Sequence, residues 1–181
     1  MKYLSTLIVS TVIFSILLSC NGSSNGNDSN TLPAANSNIN NTIPKSSNPT
    51  GAFKWLDGSI TQNTTWSGVK YVGYVEVQAG AILTILPGTE IRFRVDRDYK
   101  TQNKGGLGTS GGTIKAIGTP NNQIRFTANN DSPINGDWYG ISVNNSQLSE
   151  FKYIILEYAE IGLEQFDSKV SVTNSIIRWN N

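Results

Sequence analysis

One spacing recurs in the last third of the chain, and it limits the possible folds more than composition does. Gly140-Ile141 recurs as Gly162-Leu163, Leu148 as Val170, and Ile154-Ile155 as Ile176-Ile177, each at an offset of 22. Self-similarity at a fixed period of roughly 20 to 50 residues marks a repeat architecture, in which each unit buries its apolar face on the next. Earlier copies fit once polar excursions are allowed for. Ile124 lies 30 positions before Ile154, of which about eight belong to NNDSPINGD, and Ile91 lies 33 before Ile124, of which about eleven belong to DRDYKTQNKGGLG.

From Phe53 onward no helical apolar period is sustained, and the short apolar runs are rich in Val, Ile, Tyr, Phe and Trp, which predicts an all-β chain. Strands are predicted at Tyr74 to Val77, Ile82 to Leu86, Ile91 to Phe93, Thr113 to Ile117, Ile124 to Thr127, Ile141 to Val143, Tyr153 to Tyr158, Ile161 to Leu163, Val170 to Val172 and Ser175 to Arg178. Strands this short, repeating at this interval, predict a parallel β-coil in which each strand pairs with its equivalent one turn away. Pro87-Gly88 in GAILTILPGTEIRFR makes a corner, because proline fixes its own φ and glycine permits a positive one. The expected core holds Ile82, Leu83, Ile85, Ile91, Phe93, Ile114, Ile124, Phe126, Ile141, Ile154 and Ile176. One register stays open: if Ile154 and Leu156 point inward the period turns Arg178 inward, and if Ile155 does so it turns Glu157 inward.

The segments GSITQNTTWSG (58 to 68), YVEVQAGAILTILPGTEIRF (74 to 93), GGTIKAIGTPNNQIRFTA (111 to 128), GDWYGISV (136 to 143) and LEYAEIGL (156 to 163) resemble secreted bacterial proteins built from right-handed parallel β-helix repeats. The resemblance implies a short solenoid of about 22-residue coils over residues 51 to 181. It leaves function open, since such coils serve polysaccharide lyases, glycoside hydrolases and adhesins alike. At the C-terminus SVTNSIIRWNN is still in repeat without a polar or helical cap, the pattern of a truncated member or of one that needs a partner.

The N-terminus has a separate logic. MKYLSTLIVSTVIFSILLSC places Lys2 before an apolar run from Leu7 to Leu18 and a small residue before the chain's single cysteine, a secretory signal layout. One cysteine forms no internal disulfide and completes no cysteine-based metal site. LLSC, Leu17 to Cys20, resembles the lipobox of bacterial lipoproteins, which implies cleavage after residue 19 and lipidation of Cys20, with several acyl chains giving stable anchoring. Asn21 rather than Asp leans this expectation towards the outer membrane or cell surface. From Asn21 to Thr50 the sequence consists mostly of Asn, Ser, Gly, Thr and Pro, too polar to fold alone. The expected organisation is therefore a signal peptide over 1–19, lipidated Cys20 with a flexible tether over 20–50, and the β domain over 51–181.

Lys and Arg number 14 against 13 Asp and Glu, with no His. This near-neutral balance argues against nucleic acid as a partner. The absence of His removes nucleophile pairs of the Ser/His and Cys/His type. Asp96 and Asp98 flank Arg97 in RFRVDRDYK, beside Arg92 and Arg94. Carboxylates with a basic neighbour are the equipment of calcium-dependent lyases, so these three residues are the catalytic candidates; calcium is the one cofactor considered, and no metal site is assigned. Glu157, Glu160 and Glu164, near Tyr158 and Asp167, form a second carboxylate group, expected on outward faces and corners. Among Trp55, Trp66, Trp138, Trp179, Tyr71, Tyr74, Tyr99 and Tyr139, the ligand-binding candidates are Tyr99, Tyr139 and Trp179, while Trp66 and Trp138 are expected to plug a coil and a corner. The balance favours an envelope lipoprotein whose β domain is an adhesin-like or carbohydrate-binding module without turnover. A polysaccharide lyase or glycoside hydrolase stands second, and a structural envelope protein third. The expected partners are membrane lipid and a polysaccharide or surface protein.

Overall fold

Apolar and polar residues alternate along nearly every ordered run, and each run adds to one of two parallel sheets. A computed structural model describes residues 54–98 and 102–181. Among them are fourteen strands and no helix: β1 Leu56–Ile60, β2 Thr64–Trp66, β3 Val69–Gln78, β4 Ile82–Ile85, β5 Glu90–Phe93, β6 Gly106–Ser110, β7 Thr113–Ile117, β8 Ile124–Ala128, β9 Gly140–Asn144, β10 Ser149–Lys152, β11 Ile154–Glu157, β12 Leu163–Phe166, β13 Val170–Thr173 and β14 Ile176–Arg178. A curled nine-stranded sheet has the order β12-β9-β6-β3-β5-β8-β11-β14, with β1 also pairing β3. A five-stranded sheet has the order β13-β10-β7-β4-β2.

The all-β expectation stands, but the right-handed parallel β-helix with even 22-residue coils does not. β3 is ten residues long and has no corner where an even coil needs one. Its first half pairs β5, Val69 opposite Glu90, and its second half pairs β6, Tyr74 opposite Gly106, so strands that a plain solenoid keeps on separate faces join in one curled sheet. The intervals between partners are also uneven. Gly58 pairs Val75, 17 positions on, whereas Glu90 pairs Arg125, 35 positions on.

Register explains which parts of the period hold. Ile141 does pair Leu163 at the expected offset, and Ile154 pairs Ile124 as the polar excursion between them requires. Val170 instead pairs Ser149, and Ile176 pairs Ile155, each one position short of that offset. Ile91 pairs Phe126 rather than Ile124. The predicted strand from Tyr153 to Tyr158 yields only β11, because Tyr153 takes φ 50° and Tyr158 φ 64° and so forms a corner at each end. Asn174 (φ 52°) and Trp179 (φ 53°) repeat these corners at the two ends of β14.

Inward columns form the core. Trp66, Ile85, Ala116 and Phe151 lie in register across β2, β4, β7 and β10, a large, large, small, large sequence that fills the space between the sheets. Val75, Leu107 and Ile141 form a second buried column, and Ile91, Phe126 and Leu156 a third. Of the expected core, Ile82 is only half-buried and Ile176 is 44% exposed, since β14 is the edge of its sheet among the described residues. Trp66 and Trp138 are buried, as expected.

The open register is resolved by pairing Glu157 with Arg178 at the end of β11. Contrary to the outward position expected for it, the Glu157 side chain is fully buried. It accepts from Arg125 Nε at 2.7 Å, Arg178 Nε at 3.0 Å and Thr127 Oγ1 at 3.3 Å. A buried carboxylate persists only when it is paired and hydrogen-bonded in this way. Glu157→Gln, which keeps the shape and removes the charge, is expected to lower unfolding stability by roughly 1–3 kcal/mol in urea titration. Gly105→Ala is expected to cost about as much, roughly 1–3 kcal/mol, because its Cβ would come within 2.6 Å of the Arg94 backbone nitrogen. Gly80→Ala, at φ 82° with open space around it, is expected to cost roughly 1–2 kcal/mol in the same measurement through backbone strain alone, and Gly80→Asn less.

Candidate functional site

The point at which β3 changes partner fixes an outward tyrosine. At Gly73 an added Cβ would lie 1.9 Å from Asp57 Oδ1, so only glycine leaves room for that carboxylate. Asp57 Oδ1 accepts the Tyr74 N–H at 2.8 Å and lies 3.3 Å from Arg94 Nη1. Tyr74 is therefore held by its own backbone at the start of the β6 pairing. Opposite it, Gly106 and Gly108 leave β6 bare: a Cβ on Gly106 would lie 3.1 Å from the Tyr74 ring, and one on Gly108 3.0 Å from its hydroxyl. The phenol thus lies along β6 backbone that carries no side chain at Gly106 and Gly108 and is buried beneath it, where any larger residue would crowd the ring.

Tyr139 is placed from the other side. Its neighbour Trp138 is fully buried, stacked on Phe93 at 4.0 Å between ring centres, and donates Nε1–H to the Glu157 carbonyl at 2.9 Å. Tyr139 N–H donates to the Gly105 carbonyl at 2.8 Å, and its hydroxyl donates to Glu164 Oε1 at 3.4 Å. Between the two tyrosines lies a cleft of about 450 Å³, lined by Tyr74, Asp98, Gln102, Lys104, Tyr139 and Glu160. An ion pair of 2.8 Å joins Lys104 Nζ to Glu160 Oε2 at its rim.

Asp96, Arg97 and Asp98 do not act as one group. Asp96 Oδ1 accepts the Asp98 N–H at 2.9 Å and Oδ2 the Asn103 N–H at 2.6 Å, which braces the loop after β5. Arg97 makes a bidentate pair with the fully buried Asp137, at 2.6 and 2.9 Å, and this hydrogen bonding raises the guanidinium above its ordinary pKa. Asp98 alone reaches the cleft. Of the second carboxylate group, Glu160 lines the cleft, Glu164 borders it through Tyr139, and Glu157 belongs to the buried cluster. Of the aromatic candidates, Tyr139 is in the cleft. Trp179 is outside it, stacked on Tyr158 at 5.2 Å with the Arg178 guanidinium 3.8 Å from its ring centre. Tyr99, Cys20, the signal segment and the tether lie outside the described residues. Among the described residues no group of three or more His, Cys, Asp or Glu side chains is placed to hold a metal ion.

Sequence reasoning named Tyr74 only among the aromatics and missed Lys104, Gln102, Gly106 and Gly108. The available signal was GLG at 106 to 108, whose glycines stand two apart and so face one side of a strand. Recognising it required knowing that Tyr74 lies opposite. No family model matches the chain, and comparisons with curated proteins and with solved structures find no match.

Burial, followed by the charges of Glu76 and Glu164, raises the Tyr74 phenol above its ordinary pKa. Burial, followed by Glu164 and then more weakly by Tyr74 and Glu160, raises that of Tyr139. Both hydroxyls therefore remain neutral donors at physiological pH. Because the folded values exceed the unfolded value of about 10, their contribution to stability is complete below pH ~10 and is lost as pH rises through the folded values. Spectroscopic titration of phenolate is expected to show two late-ionising tyrosines that disappear in Tyr74→Phe/Tyr139→Phe, with a shallower alkaline loss of stability in that variant.

Proposed function

We propose that the β domain is a carbohydrate-binding module, displayed at the cell envelope by a lipid on Cys20. The observation that carries this reading is Tyr74 extended along the bare β6 backbone at Gly106 and Gly108, with Tyr139 across the cleft. Two fixed aromatic side chains offer apolar faces to the C–H surface of a pyranose at little cost in entropy. Gln102, Asp98, Lys104 and Glu160 supply the donors and acceptors that hydroxyl groups require. The near-neutral charge of the chain suits a partner held by stacking and hydrogen bonds rather than by long-range attraction.

Asp98 and Glu160 give the second reading, a hydrolase, its one support, because two carboxylates on a shared cleft are the minimum for glycoside hydrolysis. The two readings separate in one experiment. The full chain is incubated with oligosaccharides of β-linked glucose and of N-acetylglucosamine, and both calorimetric binding and the release of new reducing ends are followed. The expected result is binding without new ends, weakened roughly three- to tenfold by Tyr74→Ala or Tyr139→Ala. New reducing ends abolished by Asp98→Asn would replace the module by an enzyme.

The anchor has its own test. Cys20→Ser is expected to stop incorporation of a labelled fatty acid and to move the chain from the membrane to the soluble fraction. Unchanged partitioning would reject lipidation of Cys20 as the anchor.

A further inference from the structure

Most polar groups on the cleft already have partners. Lys104 and Glu160 hold each other at 2.8 Å, the Tyr139 hydroxyl donates to Glu164 at 3.4 Å, and Asp98 is also partnered. Among the described lining residues, the side chains with no hydrogen-bond partner are Tyr74 and Gln102, and both are neutral. Of these lining residues, Gln102 alone has a left-handed backbone, φ 46°, a conformation uncommon outside glycine. A residue held this way persists only where its surroundings fix it. Its own N–H donates to the Asp98 carbonyl at 3.4 Å, and the next residue, Asn103, is clamped. Asn103 N–H donates to Asp96 Oδ2 at 2.6 Å, its carbonyl accepts Arg94 Nε–H at 2.8 Å, and its Oδ1 accepts from Arg94 Nη2 at 2.6 Å. Arg94 in turn pairs with Asp57, the carboxylate that accepts the Tyr74 N–H. One network therefore fixes both unpartnered groups on the same cleft.

We infer that Gln102 is the specificity-determining residue of the cleft, and that the sugar it selects carries an acetamido group, as an N-acetylhexosamine does. This rests on the carbohydrate-binding reading and names the class of sugar within it. A secondary amide is trans, so its N–H and its carbonyl point in opposite directions and need two partners set apart, one acceptor and one donor. The Gln102 carboxamide oxygen supplies the acceptor and the neutral Tyr74 hydroxyl the donor. A hydroxyl at the same sugar carbon satisfies only one of them. Lys104 and Glu160, which neutralise each other, favour no charged sugar.

The test compares trimers of β-linked N-acetylglucosamine and of β-linked glucose on the full chain by calorimetry. The N-acetylglucosamine trimer is expected to bind roughly tenfold more tightly. Gln102→Gly suits φ 46° and removes the carboxamide while keeping the Arg94 contacts of Asn103. It is expected to leave thermal unfolding unchanged and to reduce the preference to about twofold or less. Tyr74→Phe, which keeps the ring and removes the donor, is expected to lower the preference roughly threefold. A preference that survives Gln102→Gly would overturn the role of Gln102. Equal affinity of the unsubstituted chain for both trimers, lost in Tyr74→Ala, would overturn the amide selection and leave the carbohydrate module standing. A preference for glucose would overturn the selection outright, and no binding of either trimer to protein shown by circular dichroism to be folded would overturn both readings.

Discussion

The hydrogen bonding of β3 is the constraint on which the rest of this structure depends. One ten-residue strand pairs β5 through its first half and β6 through its second, and β1 lies along it as well. The change of partner occurs at Gly73, where a side chain would displace Asp57 and with it the hold on the Tyr74 amide and on Arg94. Gly105 fits against the same place, its missing Cβ leaving room for the carbonyls of Val72 and Gly73. Two glycines therefore allow two strand rows to fuse, and the fused, curled sheet brings the loop after β5 over the start of β6. The cleft is a by-product of that fusion.

Two buried acids secure the arrangement. Glu157 ties β8, β11 and the end of β14 through Arg125 and Arg178, and Asp137 fastens the loop after β5 through Arg97. Each carboxylate is fully buried while its arginines keep contact with water, so each pair is hydrogen-bonded without burying both charges. The chain thus uses its few charged residues as internal ties, and Arg97, which by sequence belonged to a catalytic group, is one of them.

Most of the apolar strands were legible in the sequence because alternation and β-branched residues mark half-buried strands whatever their partners are, whereas the more polar β1, β2 and β10 were not, and the strand expected at Ile161 to Leu163 begins only at Leu163. The repeat interval was legible between β9 and β12, where Ile141 meets Leu163. It misled by one position at Ser149 and Ile155, because the corner between β9 and β10, residues 145–148, is one residue longer than its equivalent between β12 and β13, residues 167–169, a difference that an interval measured on apolar residues does not detect. The fusion through β3 was illegible for a related reason: Gly73 reads as a break in a strand and here is the point where one strand serves two partners. β6 was missed because Gly-Leu-Gly-Thr-Ser carries little β-propensity, although its glycines are what Tyr74 requires. Half of the cleft was visible in Asp98, Tyr139 and Glu160. The other half depends on the register that opposes Tyr74 to Gly106.

That opposition also carries the functional reading, so the most direct measurement is amide chemical-shift mapping of the full chain as oligosaccharides of β-linked glucose and of N-acetylglucosamine are added. The account predicts shifts centred on Tyr74, Gly106, Gly108 and Tyr139, extending to Lys104 and Glu160 and leaving the Tyr158–Trp179 stack unmoved. Shifts confined to that stack or to the β13 and β14 edge, or none at saturating sugar, would contradict it.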